Sequence, residues 1–310
     1  MIERRAGDVA VPLSRSRRAA RWRTRGFPYA LLLPACIVLA ALTLYPTLYA
    51  IYLSFFNLGI GSPNPVYTGL SNYSNIAADP LFWSSLQISG IFTVSAVLVE
   101  FVLGFALALL LSQRLVGIRL MRTFLIVPMV MTPVIVALTW RMFYNPTYGV
   151  LNYLLSLIGV HGPDWLSGEH TALASVILVD VWQWTPFMFL ILTAGLHSLP
   201  AELFEAARVD GARGVQLFRY ITVPMLRSVI VTALVFRMID CFNTFDIIYV
   251  LTSGGPGVAT QTLVIYSFFQ SFRWFHFGYA SALAVIILFV LSAVSFLLIR
   301  LGRLTLLEVE

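Results

Sequence analysis

Hydrophobic residues in this chain are gathered into six long blocks, with polar and turn-forming residues confined to the stretches between them. The blocks run roughly Pro28 to Phe55, Leu86 to Leu111, Leu120 to Phe143, Thr171 to Leu196, Ile230 to Leu251 and Gly278 to Ile299. About 20 helical residues, rising about 1.5 Å each, cover a hydrocarbon core of roughly 30 Å. Each block therefore predicts one membrane-spanning helix, and the expected fold class is all-α, polytopic, with six transmembrane helices. The first block is longer than the apolar core of a cleavable signal and no A-x-A site follows it, so it reads as a retained span. The intervening stretches Asn57 to Ser84 and Tyr144 to His170 carry Gly and Pro turn signals, and Leu151 to Ile158 predicts a short interfacial helix. Trp83, Trp140, Tyr144, Tyr148 and Trp165 fit an aromatic belt at the same face.

Charge orients the helices. Arg4, Arg5, Arg15, Arg17, Arg18, Arg21, Arg23 and Arg25 precede the first block. Arg114, Arg119 and Arg122 flank the second loop, Arg208, Arg213, Arg219 and Arg227 the fourth, and Arg300 and Arg303 follow the last block. The opposite face has only Arg141 and Arg273, and Arg237 falls inside the fifth block. The positive-inside rule then puts both termini in the cytoplasm. The expected organisation is a basic tail over 1–27, a six-helix domain over 28–301 with a cytoplasmic loop over 198–224, and a short tail over 302–310.

Composition sharpens this. Charged residues make up 11 % of the chain, against 59 % hydrophobic, roughly half the charge of a soluble domain. All 20 basic residues are arginine. Without a lysine the chain has no P-loop to hold nucleotide phosphates and no amine for Schiff-base chemistry. Any ATP hydrolysis belongs to another chain. Cys36 and Cys241 lie in apolar blocks, and the four histidines have no metal-ligand spacing. The net charge of +6 reflects membrane topology, so no nucleic acid partner is expected. A membrane enzyme is disfavoured because Asp79, Asp164 and Glu169 are too widely spaced to assemble a site.

The fourth loop is the most informative stretch. Pro200 suits the first turn of a helix, Glu202 and Glu205 complement its N-terminal dipole, and Gly211 ends it. Two short helices with a bend would form a knob with room for a partner beside Ala206, Ala207 and Gly211. The stretch contains Glu205-Ala206-Ala207, then Gly211, then Ile221 and Pro224, with Asp210 before the glycine. This pattern resembles the EAA loop of permease subunits of ATP-binding-cassette importers, in the form typical of the carbohydrate-uptake branch. Tyr45-Pro46, Gly69-Leu70-Ser71-Asn72-Tyr73, Val181-Trp182-Gln183-Trp184-Thr185-Pro186-Phe187, and Phe242-Asn243-Thr244-Phe245-Asp246 with Leu251-Thr252-Ser253-Gly254-Gly255-Pro256 are similar to the maltose, trehalose and glycerol-3-phosphate permease group. The resemblance implies a type I importer permease fold in a bacterial inner (plasma) membrane. It implies a second permease as heterodimer partner, two copies of an ABC ATPase that carry ATP and Mg, and an extracellular solute-binding protein. This chain itself would bind no cofactor. Glu205, Ala206, Ala207, Asp210 and Gly211 would form the helix that couples to the ATPase.

Polar groups at membrane depth are costly and mark either pairing or function. Asp180, Trp184 and Phe187 are spaced i, i+4, i+7 and so share a helix face, as do Asp240 and Thr244. With Asn243, these residues offer hydroxyl partners beside aromatic faces, the chemistry of a neutral sugar. Related permeases line their cavity with these stretches, so Asp180, Trp184, Phe187, Asp240, Asn243 and Thr244 are expected on the pathway, with Met129 and Pro133 on the third span. Asp180 fits a pathway position and a packing position equally. Arg237 and Asp240, three residues apart, read as an ion pair, and Glu100 as a contact to another helix or to the partner permease. Several carboxylates around one arginine favour a neutral disaccharide, oligosaccharide or amino sugar over an anion. The second reading is a glycerophosphodiester or glycerol-3-phosphate permease of the same family. The third is an ion-coupled secondary carrier, for which the chain lacks an evident internal repeat.

Overall fold

A computed structural model of the chain describes residues 27–60, 62–112 and 117–304. The basic tail and the arginines in it lie outside the described residues. Helix α1 (Phe27–Leu39) continues through a π-helical segment (Ala40–Leu44) into α2 (Tyr45–Leu53). An antiparallel hairpin of β1 (Phe56–Gly59) and β2 (Ser62–Tyr67) follows, then α3 (Ser71–Ala78) and the long α4 (Pro80–Leu110). Helices α5 (Ile118–Val130), α6 (Pro133–Phe143) and α7 (Val150–Leu157) lead to α8 (Ala172–His197). Next come α9 (Ala201–Val209) and α10 (Gly214–Leu217), which runs through a second π-helical segment (Phe218–Thr222) into α11 (Val223–Phe242). The chain ends with α12 (Asp246–Thr252), α13 (Leu263–Phe268), a third π-helical segment (Phe269–Arg273) and α14 (Phe277–Leu304).

Five helices among the described residues are long and apolar enough to cross a membrane, and the bent pair α5–α6 makes six. The expectation of six spans therefore holds in number but not in form. The third block breaks rather than crossing straight: α5 and α6 meet at 98°. Met131 and Thr132 are extended, and Pro133 opens α6, where its missing N–H costs little. Gln183 Nε2 on α8 donates to the Met131 carbonyl freed at the break, at 3.1 Å, which is how non-helical backbone is tolerated at membrane depth. The fifth block also divides. Its helix starts well before Ile230 and stops at Phe242, because Asn243 and Thr244 fold back onto the helix end, Asn243 N and Nδ2 donating to Ile239 O and Thr244 Oγ1 to Asp240 O. Asp246 begins a separate helix instead of ending the span.

α4 and α8 form the centre of the molecule. Gly104 lets them meet: a Cβ there would stand 2.6 Å from Met188 Cβ and 2.9 Å from the Phe189 amide nitrogen. The main core gathers Phe92, Ala96, Val136, Val176, Val179 and Ile248 from four helices around that seam. Trp140, Tyr144 and Trp165, expected in an aromatic belt, pack into or against this core, and Tyr144 is only 1 % exposed. Trp83 and Tyr148 are exposed as a belt would require. Among the described side chains of α1 and α2 none is fully buried by the rest of the chain. The hairpin, which sequence patterning does not anticipate, is pinned by Asn72, whose Nδ2 donates to Ser54 O at 2.8 Å and Phe56 O at 3.0 Å.

Candidate functional site

Two regions stand out, joined by helices. The first is the loop at the end of α8. Helix α9 starts after Pro200 with Glu202 in its first turn and Arg208 in its last, charges of the favourable sign at each end. It stops in a Schellman motif: Ala212 N donates to Ala207 O at 2.9 Å and Gly211 N to Arg208 O at 3.1 Å. Gly211 has φ +86, a left-handed conformation open to glycine without strain. No residue of α9 is buried. A nine-residue helix is marginal in water on its own, and the surface of this one is open apart from the half-buried Phe204 and Ala207. Glu205, Ala206 and Asp210 are exposed and Ala207 is half-buried, so the five expected coupling residues share one uncovered segment. The expected second helix is not separate, because α10 merges into α11.

The second region lies where α4, α8 and α11 meet. Arg237 on α11 is 1 % exposed and is gripped from three helices. Its Nε and Nη2 donate to the two carboxylate oxygens of Glu100 on α4, at 2.6 and 2.9 Å. Nη2 also donates to Asp180 Oδ2 on α8, and Nη1 to Asp240 Oδ2 at 2.7 Å. Glu100 and Asp180 are fully enclosed, whereas the Asp240 side chain is 55 % exposed. The Trp184 ring lies under the guanidinium, 5.1 Å from its carbon, and Phe187 meets Trp184 edge-on at 6.4 Å. Burying this many charges is tolerable only because each is paired.

This geometry sorts the expected pathway residues. Trp184, Phe187 and Asp240 are brought together around Arg237 and stay partly open. Asn243 is exposed and Thr244 half-buried, one turn beyond Asp240. Asp180, whose two possible positions were equally compatible with spacing, is enclosed in the ion cluster and presents no open surface. Met129 and Pro133 do not share a helix face, because the 98° break separates them. Arg237 and Asp240 do pair, and Glu100 contacts another helix of the same chain. Sequence reasoning missed that one arginine serves all three acids, and that Cys241 Sγ lies 3.6 Å from Asp180 Oδ2. The available signal was that Arg237 falls well inside the fifth block, away from its ends.

At the opposite face from α9, Asp79 caps α4, its Oδ1 accepting from Leu81 N at 2.9 Å. Its Oδ2 accepts from the hydroxyls of Tyr266 and, at 2.8 Å, Tyr279. Partial burial pushes this carboxyl up, but the two hydroxyls and the amides of Leu81 and Phe82 outweigh it and hold the carboxyl below its usual value.

Residues 100–302 match the family model described as "Binding-protein-dependent transport system inner membrane component". The chain is 34 % identical over 283 residues to the trehalose/maltose transport system permease protein MalF of Thermococcus litoralis, covering 91 % of this chain and 96 % of that one. It is 35 % identical to the trehalose transport system permease protein SugA of Mycobacterium tuberculosis, over 92 % of each chain. It is 36 % identical to the sulfoquinovosyl glycerol transport system permease protein SmoG of Agrobacterium fabrum, over 88 % of this chain and 89 % of that one. A chain of a bacterial ABC transporter for import of the polysaccharide alginate superposes with a TM-score of 0.80 at 21 % identity, covering 93 % of this chain and 98 % of that chain.

Proposed function

Since the chain belongs to the binding-protein-dependent transport system inner membrane components, we propose that it is one permease of a heterodimeric sugar importer driven by two copies of a separate ABC ATPase. A solute-binding protein delivers the sugar at the outer face. ATP and Mg reside on the ATPase, and α9 seats against that subunit in the cytoplasm, where both termini also lie. The observation that carries this reading is α9 itself, closed by a Schellman motif at its C-terminal end yet burying none of its residues.

The connectivity supplies a mechanism. α9 is joined directly to α8 through Ser198–Pro200 and to the α10–α11 helix through Gly211–Arg213. Those two helices carry Asp180, Trp184, Arg237 and Asp240. A push on α9 when the ATPases close therefore reaches both walls of the ion cluster as one rigid movement. The buried Glu100–Arg237–Asp180 pairs keep α4, α8 and α11 in step. The open residues Trp184, Phe187, Asp240, Asn243 and Thr244 then present hydroxyl acceptors and an aromatic face to the solute. A carboxylate that already shares its guanidinium with two other acids repels an anion, so a neutral or amino sugar fits best, in keeping with the trehalose and maltose systems among the relatives.

The test is Gly211→Val in the reconstituted complex. No atom lies within 4 Å of the position a Cβ would take, so the variant inserts and folds. A β-branched residue at positive φ costs about 1–2 kcal/mol and unwinds the end of α9. ATP-driven trehalose or maltose uptake into proteoliposomes is expected to collapse while the subunits still co-purify. Undiminished uptake would reject α9 as the coupling element.

A further inference from the structure

A cavity of about 420 Å³ opens at the face opposite α9, between the end of α6, the loop before α7 and the α12–α13 connection. Its polar lining includes Arg141, Asn145, Ser167 and Thr252, and its apolar walls include Leu251 and Pro256. No carboxylate lines it, and among the described residues Arg141 has no acidic partner within ion-pair distance. One arm of its guanidinium is held by Val250 O at 3.3 Å, which leaves the other nitrogens for a ligand. The Asn145 carboxamide oxygen caps the amides of Thr147 and Tyr148, at 2.9 and 3.2 Å, which leaves Nδ2 as its free donor. Ser167 is exposed, and among the described residues its hydroxyl makes no hydrogen bond. A guanidinium, an amide donor and a hydroxyl converging with no acid among them select an anion with several acceptor oxygens.

The surroundings place that anion at a bilayer surface. α7 borders the cavity's loop and is about 12 Å long, too short to span. Its Tyr153, Leu154 and Leu157 are 63 %, 52 % and 65 % exposed, an apolar face of the kind that settles at the headgroup boundary. We propose that this cavity binds a phosphate mono- or diester anion at the outer surface of the membrane. Two sources share that chemistry: the headgroup of an anionic phospholipid, and a soluble glycerol phosphate. The site is distinct from the ion cluster, which lies at the middle of α4 and α8.

The full-length chain, purified with its co-purifying subunits in phosphatidylcholine nanodiscs, is titrated with phosphatidylglycerol and separately with sn-glycerol 3-phosphate, retention being read by native mass spectrometry. Wild type is expected to retain phosphatidylglycerol if the source is lipid, or glycerol phosphate if the source is soluble. Arg141→Gln is expected to weaken whichever binds by about tenfold or more, and Ser167→Ala by less. Arg273→Gln, at the other outer-face arginine, which stacks on Phe269 at 5.3 Å, leaves binding unchanged. Binding of neither probe to wild type, equal binding by the Arg141→Gln variant, or an equal loss in the Arg273→Gln variant would each overturn the assignment.

Discussion

Arg237 spends four hydrogen bonds on three acids, and its removal would strand Glu100 and Asp180 in a space that water does not reach. Arg237→Met is therefore expected to cost about 3–5 kcal/mol, seen as loss of monodisperse protein on detergent extraction and a lower melting temperature. Asp240→Asn should change stability by no more than about 1 kcal/mol, because its half-exposed carboxylate is well solvated, but should reduce sugar uptake. Equal destabilisation by the two variants would contradict the division between enclosed and open acids. Asp79 gives a pH signature. Its carboxyl titrates below the ordinary value in the folded state, so its contribution is present at neutral pH and is lost as pH falls through the acid range below about 4. Asp79→Asn should remove that part of the acid limb of a melting-temperature profile and lower the plateau above it. At this scale the sequence was half legible. A basic residue deep inside a span announces pairing, and spacing found Asp240, but Glu100 and Asp180 sit 137 and 57 residues away. Nothing local to either acid shows which helix face it turns inward.

Helix number was legible because about 20 apolar residues have few other uses, whereas helix ends and breaks were not. Asn243, Thr244 and Asp246 interrupt the apolar run, but inside a span they read as pathway residues, so the block did not show that Asn243 and Thr244 end the helix by folding their side chains back onto its carbonyls. The bend at Met131–Thr132 was foreshadowed by Pro133, but its 98° depends on Gln183 reaching the freed carbonyl from another helix. The hairpin was hidden because Pro63 and Pro65 argue against a strand, and two prolines are tolerated only where an edge lacks a neighbour. The α9 segment was legible almost residue by residue, since caps and a positive-φ glycine are local properties. The seam between α4 and α8 yields a further prediction. Gly104→Ala places a methyl against Met188 Cβ and the Phe189 backbone, and overpacking of that kind costs about 1–3 kcal/mol. A melting temperature at or above wild type would show that the two helices separate more freely than their packing indicates.

At the scale of the molecule, no described side chain of α1 or α2 is fully buried within the chain, and the long helices keep broad apolar faces exposed. On the proposed function, bilayer lipid and a second permease would cover such surface, while α9 at one end would meet a partner of a different kind. α9 is proposed as the contact through which an ATPase drives this chain. That role is tested most directly by placing a cysteine at Ala206, in the middle of that exposed helix, and crosslinking the purified complex with a short bifunctional reagent. A crosslink to the ATPase subunit is expected, its yield changing between nucleotide-free and ATP-bound states. A crosslink to no ATPase, with the complex intact and active, would contradict it.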